Sequence, residues 1–296
     1  MTETPERVRI IVNPIAGRGT AGVLAAAVGK RLAAAGLQVE RLETTSAGHA
    51  STMAREAADS GIDVVLACGG DGTVNETVQG LAGSDTALAV MPLGTANVLG
   101  HELELSRSPK RVTELILRGR RRRLDLGRCG DDWFLCVAGV GFDAFVALQM
   151  DNWRTGTITL ASWVGRTWHA FWRYPFEPLE VCIDGEPIDA PVYHLMIGNT
   201  RSYGGPFVIT PGARPDDGKL DACAFGTSGK LRLALYLAAT IPHVHHRFND
   251  VTCVTGRKIE VSAARPVPVQ LDGDYRRTTP VSFEVVPGAI TVLSNR

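Results

Sequence analysis

The chain has no net charge: 31 Lys and Arg offset 31 Asp and Glu over 296 residues. Bulk electrostatic attraction to nucleic acid or an anionic membrane therefore does not arise. No nucleic-acid partner is expected, and any membrane affinity has to come from a local patch. No apolar run approaches the roughly 18 residues of a membrane-spanning helix. The opening residues, Met1 to Arg9, are polar and have no apolar leader core. The cysteines (Cys68, Cys129, Cys136, Cys182, Cys223, Cys253) form no Cys-x-x-Cys pair. Most lie in apolar runs and read as reduced core residues, so a cytoplasmic location is expected. With 45% hydrophobic and 21% charged residues the chain is globular, and its length implies one large or two ordinary domains.

What is present centres on residues 63–76. Val64, Val65, Leu66 and Ala67 read as a buried parallel strand. The run ends in Gly69, Gly70, Asp71, Gly72 and Thr73, where glycines let the backbone turn tightly and approach a ligand. Thr73 is placed to cap a helix beginning at Val74, with Glu76 completing a capping box. A strand, a glycine turn and a helix N-terminus together offer N–H groups to an anion. Asp71 in that turn would repel a phosphate unless a cation lay between them, which points to a Mg²⁺-nucleotide site.

Similar units flank this one. Val8 to Val12 is a strand running into Asn13, Pro14, Gly17 and Gly19; an alanine-rich helix follows and stops at Gly36. Val39 to Leu42 is a strand followed by the Thr44–Gly48 loop, whose Thr and Ser are the residues expected of an N-cap turn. Ala87 to Met91 delivers Pro92, Gly94, Thr95 and Asn97 into another helix. Four strands alternating with helices imply a doubly wound parallel sheet. From about Leu126 the pattern becomes short β runs with Asp-Gly turns at 184–185, 217–218 and 272–273, as expected of an antiparallel β-sandwich. The basic run Arg118 to Arg123 reads as a solvated turn, and His243, His245 and His246 as exposed loop residues. Trp163, Trp168, Phe171 and Trp172, with Arg166 and Arg173, suit either a core helix or a membrane-boundary helix.

Gly69-Gly-Asp-Gly-Thr-Val-Asn-Glu76 resembles the nucleotide signature of the diacylglycerol kinase catalytic-domain family, which includes bacterial lipid kinases and sphingosine and ceramide kinases. Asn13-Pro14-x-x-Gly17 and Pro92-x-Gly94-Thr95-x-Asn97 resemble two further motifs of that family, with Val98 standing where the second has Asp. The resemblance implies that ATP contacts Asn13, Pro14, Gly17, Thr44, Gly69, Gly70, Asp71, Gly72, Thr73, Asn75, Glu76, Gly94, Thr95 and Asn97. It implies that Asp71 and Asp125 support the catalytic metal. It implies a second Mg²⁺ on Asp217 and the main-chain oxygens of Arg214 and Lys219, and Asp272 as general base, Asp274 replacing the family's Glu. The loop from Gly198 to Gly205 resembles one that lines the family's interdomain cleft.

The expected architecture is thus a phosphofructokinase-like α/β domain over 1–124 and a β-rich lipid domain over 125–279. Whether the last strands, about 280–296, return to the first domain stays open, as does homodimerisation. The expected activity is Mg²⁺-ATP-dependent phosphorylation of a lipid hydroxyl, with diacylglycerol first and transient contact with a membrane surface during turnover. Sphingoid-base, ceramide and NAD kinases, and an inactive nucleotide- or lipid-binding regulator, are the alternatives.

Overall fold

The computed structural model describes residues 5–151, 160–204 and 207–295, excepting the side chains of 151, 160–164, 166 and 204. Gly205 and the side chains of Trp163 and Arg166 therefore lie outside what is described. The chain forms two units, Met1–Leu126 with Val286–Arg296, and Gly127–Val285.

The first unit runs β1 (Arg7–Val12), α1 (Ala21–Ala34), β2 (Gln38–Glu43), α2 (His49–Asp59), β3 (Val64–Gly69), α3 (Asp71–Leu81), β4 (Ala87–Pro92), α4 (Val98–Glu102) and α5 (Pro109–Arg118), and leaves along β5 (Arg120–Cys129). Its strands are parallel in the order β2-β1-β3-β4. Every residue of β3 and β4 is buried, as a strand covered on both faces requires. Val8, Ile10 and Val12 pack on Ala25, Val28 and Leu32 of α1 and on Val112, Leu115 and Ile116 of α5. The alternate residue Arg9 turns to the other face, where its Nη1 donates to the Met53 carbonyl of α2 at 2.8 Å. This alternation makes the sheet doubly wound.

The second unit contains β6 (Asp132–Phe134), β7 (Val137–Val140), α6 (Phe142–Asp151), α7 (Leu160–Arg173), β8 (Leu179–Ile183), β9 (Glu186–Pro187), β10 (His194–Gly198), β11 (Ser202–Gly204), β12 (Phe207–Val208), β13 (Leu220–Phe225), α8 (Lys230–Thr240), β14 (Val251–Gly256), β15 (Lys258–Ala263), β16 (Pro268–Leu271) and β17 (Asp274–Thr278). The final strand, β18 (Val281–Ser294), pairs antiparallel with β15 over Val281–Glu284. Its far end, Thr291 and Val292, pairs parallel with β4 of the first unit. One antiparallel sheet has the order β14-β13-β10-β7-β16-β17. Its inward residues, including Val140, Ile197, Ala222 and Val269, share one core with Val181, Ile259 and Phe283 of the layer built on β8, β15 and β18. That is a β-sandwich.

Three local expectations are corrected. Cys223 and Cys253 are disulfide-bonded, not reduced; they face each other across β13 and β14 with Cα atoms 4.3 Å apart. The basic run is not a turn: Arg118 closes α5 and Arg120 opens β5, and Arg123 pairs with Asp85 at 3.2 Å. His245 is fully buried, its Nε2 lying 2.7 Å from the Ile209 carbonyl, while His243 and His246 are exposed.

Candidate active site

In the first unit, loops leave the C-terminal ends of β1, β3 and β4 and are tied together by backbone bonds. Asn13 N–H donates to Cys68 O (3.0 Å), Leu93 N–H to Gly69 O (2.7 Å) and Gly17 N–H to Leu93 O (3.1 Å). Asn13 Nδ2 reaches Thr73 Oγ1 at 3.3 Å. Thr44 follows β2, its N–H bonded to Val12 O at 2.9 Å. The ends of the four parallel strands thus hold most of the residues expected at a nucleotide, with Pro14, Gly72 and Thr95 exposed.

Close approach here depends on glycine. A Cβ on Gly94 would lie 2.6 Å from Gly70 Cα, whereas one on Gly72 would meet nothing within 4 Å. Asn97, at φ 49°, closes the Gly94 loop by accepting from Gly94 N–H (2.7 Å) and donating to Gly94 O (2.8 Å).

Asp71 fastens this loop to α3. Its two oxygens accept from Asn97 N–H at 2.8 Å and Val98 N–H at 2.6 Å. Asp125 is buried and accepts from Gly288 N–H at 2.8 Å, which fixes β5 to β18. Both carboxylates thus hold backbone, a role their sequence context did not reveal.

The capping box is also corrected. Helix α3 starts at Asp71 behind an extended Gly70, so Thr73 lies inside its first turn. Glu76 instead accepts from Ala50 N–H of α2 at 3.2 Å. Asn75, 3% exposed, accepts from Gln79 at 3.0 Å, and its Nδ2 has no partner among the described residues. A buried unpaired donor inside the glycine-rich motif fits an anionic ligand.

In the second unit the hairpin between β16 and β17 carries Asp272 and Asp274. Asp272, at φ 49°, turns its carboxylate onto the start of β7. It accepts from Leu135 N–H (2.7 Å), Cys136 N–H (2.8 Å) and Val137 N–H (2.9 Å). Burial lifts its pKa to about 6 against the pull of these donors. Asn199 holds the same segment from the opposite side, donating to Leu135 O at 2.8 Å. Asp272 thus brackets the start of β7, with its carboxylate oxygens turned onto the backbone of residues 135–137. Asp274, two residues on, has a 26% exposed side chain.

The site also includes residues the sequence did not flag. Gln270, fully buried, accepts from Gly273 N–H at 2.6 Å and donates to Asp143 of α6 at 2.9 Å. Burial raises Asp143 to about 6. The only hint of this pair was a polar Gln in an apolar strand.

The Arg214–Lys219 segment forms an exposed turn, with Lys219 N–H donating to Asp217 Oδ1 at 3.1 Å. Asp221 beside it is pushed up to about 6 by burial and by the Asp217 charge. Carboxylate oxygens that repel one another suit a hard divalent cation, so the donor set fits Mg²⁺.

The family model described as the diacylglycerol kinase catalytic domain matches residues 7–129, and that of the YegS C-terminal NAD kinase beta sandwich-like domain matches 136–294. A Mycobacterium tuberculosis protein called diacylglycerol kinase is 30% identical over 297 residues, covering 98% of this chain and 96% of its own. The chain belongs to the diacylglycerol kinase catalytic-domain family. A Bacillus subtilis protein of the same name is 28% identical, covering 94% and 93%. A Chromohalobacter salexigens protein called probable lipid kinase YegS-like is 30% identical, covering 83% and 81%. The crystal structure of a Bacillus anthracis diacylglycerol kinase superposes with a TM-score of 0.77 at 25% identity, covering 100% of this chain and 98% of that one. Family membership thus extends over both units, and the α/β fold and the sandwich are those of the family.

Proposed function

We propose that this protein is a lipid kinase that transfers the γ-phosphoryl group of Mg²⁺-ATP to a lipid hydroxyl, diacylglycerol being the first candidate. The observation that carries the reading is the joined set of strand-end loops, with Gly72 open and Asn75 Nδ2 unpaired, in a chain related over its full length to proteins named diacylglycerol kinase. The glycine loops and the N-terminus of α3 would hold the phosphates. Bound Mg²⁺ would supply charge neutralisation of the transferring group. The lipid hydroxyl oxygen bonds the γ-phosphorus, the bond to the β,γ-bridging oxygen breaks, and ADP leaves. Asp274 takes the hydroxyl proton, while Asp272 and Gln270 keep its hairpin in place.

An ADP-release assay with diacylglycerol, sphingosine, ceramide and NAD as acceptors tests this. Lipid-dependent ADP release is expected, and turnover with NAD alone would overturn the reading. Asp217→Ala should shift the Mg²⁺ dependence of turnover or lower Tm while ATP still binds. No change in either would reduce Asp217 to a turn residue.

We further propose transient contact with a membrane surface through α7 and α8. Trp168 and Trp172 are 61% and 54% exposed, Leu231 and Leu235 are exposed on α8, and Ile241 is exposed just past its end. Lys230 lies 4.9 Å over the Trp172 ring. Aromatic, leucine and lysine side chains together suit the headgroup boundary. The double variant Trp172→Ser/Leu231→Ser should sediment less with phospholipid vesicles than wild type, at unchanged Tm. Equal sedimentation would remove this face.

A further inference from the structure

The Gly94 loop holds a charged side chain that the nucleotide reading has not used. Arg107 belongs to the connection between α4 and α5. It comes back to the strand end because that connection reverses sharply. Glu104 has a left-handed φ of 53°, its N–H donates to His101 O (3.2 Å), and Leu105 N–H donates to Gly100 O (2.7 Å). Leu105 then packs against the core of the first unit, Ser108 N–H donates to Ser106 Oγ (3.1 Å), and Pro109 opens α5. Arg107 is thus held between anchored neighbours, and its Nη2 donates to Gly94 O at 3.4 Å.

That bond is not what closes the loop. Gly94 O already accepts from Asn97 Nδ2 at 2.8 Å, the shorter and stronger contact. An ion pair does not account for Arg107 either. Arg9, Arg123, Arg128 and Arg232 each have a carboxylate oxygen within 3.2 Å. No carboxylate among the described residues pairs with Arg107. The side chain is exposed, and a guanidinium has five N–H donors, so most of them stay available.

The surroundings suit an anion. A Cβ on Gly94 would lie 3.5 Å from Asp71 N, so the carbonyl that holds Arg107 belongs to a residue packed on the first residue of α3. The helix N-terminus adds positive potential there. Asp71 adds the opposite sign, but both its oxygens are occupied by the N–H groups of Asn97 and Val98. A nucleoside triphosphate stays anionic when it carries Mg²⁺. Arginine is the side chain whose planar donors match phosphate oxygens two at a time.

We propose that Arg107 binds the polyphosphate of the nucleotide, its guanidinium donating to phosphate oxygens while the Gly94 carbonyl holds it in place. The inference rests on the nucleotide reading of the strand-end loops and adds a fixed positive charge to their neutral N–H donors. None of the glycine motifs contains Arg107, and only the reversal at Glu104 brings it to them.

Isothermal titration of wild type, Arg107→Gln and Arg107→Ala tests this, with Mg²⁺-ATP and Mg²⁺-tripolyphosphate as probes. Arg107→Gln keeps an N–H donor and removes the charge; Arg107→Ala removes both. Each variant should bind both probes about 10-fold more weakly than wild type, the worth of a hydrogen bond to a charged group. The Tm of the free protein should stay at the wild-type value. The affinity gap should narrow at high salt, because an exposed charge is screened. Wild-type affinity in Arg107→Gln, a gap that salt leaves unchanged, or a lowered Tm in both variants would make Arg107 a prop of the Gly94 loop and overturn the proposal. A loss for ATP with none for tripolyphosphate would place the guanidinium on the nucleoside and overturn it as well. If wild type binds neither probe, the nucleotide reading falls and this inference with it. Binding by wild type that both variants match removes the inference alone.

Discussion

Asp274→Asn should keep the Tm of wild type and lose about 10²–10⁴-fold in kcat, the usual worth of a positioned base. Asp272→Asn should do the reverse in kind and lose stability first. The asymmetry follows from where the two carboxylates point. Asp272 accepts three backbone N–H groups from residues 135–137. An amide can offer one oxygen to Cys136 and Val137, but its NH₂ then faces the Leu135 N–H, donor against donor. Leaving buried donors unpaired costs about 1–3 kcal/mol. For a unit of this size, that is a Tm loss of about 2–4 °C per kcal/mol. Asp274 is partly exposed and lies 3.7 Å from the Arg276 guanidinium; an ion pair open to solvent is worth about 1 kcal/mol or less, so its amide variant should fold.

The pH dependence separates the two further. Burial raises Asp272 from 3.8 to about 6, so the folded chain keeps this proton to higher pH than the unfolded chain. Its stabilising contribution is full below the unfolded value and is lost as pH rises through about 6. The Tm difference between wild type and Asp272→Asn should therefore shrink from pH 4 to pH 7. Scanning calorimetry of both variants, with kcat at saturating lipid and ATP, checks these expectations. Near-normal turnover by Asp274→Asn would return the proton-acceptor role to another carboxylate.

The difference between Asp272 and Asp274 also marks where the sequence stopped being legible. The parallel sheet was readable because strands buried on both faces, such as β3 and β4, are apolar without interruption. The loops at the strand ends were readable as tight turns because glycines clustered there let the backbone turn sharply and approach closely. The hairpin was not, because Asp-Gly announces a turn and says nothing about which neighbouring carboxylate points inward. That is decided by the left-handed φ of Asp272 and by its contact with the distant backbone of Leu135, Cys136 and Val137. Register hid the Cys223–Cys253 bond in the same way, since facing positions on β13 and β14 follow from pairing and not from spacing. Thr73 and Glu76 matched a capping box, yet the extended Gly70 starts α3 three residues before Val74. The carboxylate of Glu76 was then free to anchor α2. In each case a tertiary contact won over a local pattern that was itself satisfied.

Gly72→Val should weaken ATP binding by about 100-fold or more, the scale on which a misplacement of about 1 Å acts, and should leave Tm close to wild type. In the protein alone a Cβ at Gly72 would meet nothing within 4 Å among the described residues, and Val is tolerated in an exposed helical turn about as well as Gly. The only body it would strike is a ligand seated on the loops at the start of α3. Gly94→Ala is the control with the opposite structural cost. Its Cβ would come 2.6 Å from Gly70 Cα, a backbone atom that cannot swing aside. The loops after β3 and β4 would have to separate, straining the Asp71 bonds to Asn97 and Val98. Overpacking of this kind costs about 1–3 kcal/mol, so Gly94→Ala should lower both Tm and ATP affinity. Isothermal titration with Mg²⁺-ATP and thermal melts of the two variants separate the effects. ATP affinity in folded Gly72→Val equal to that of wild type would mean that the phosphates do not lie on this turn, and the nucleotide site would have to be sought away from the strand ends.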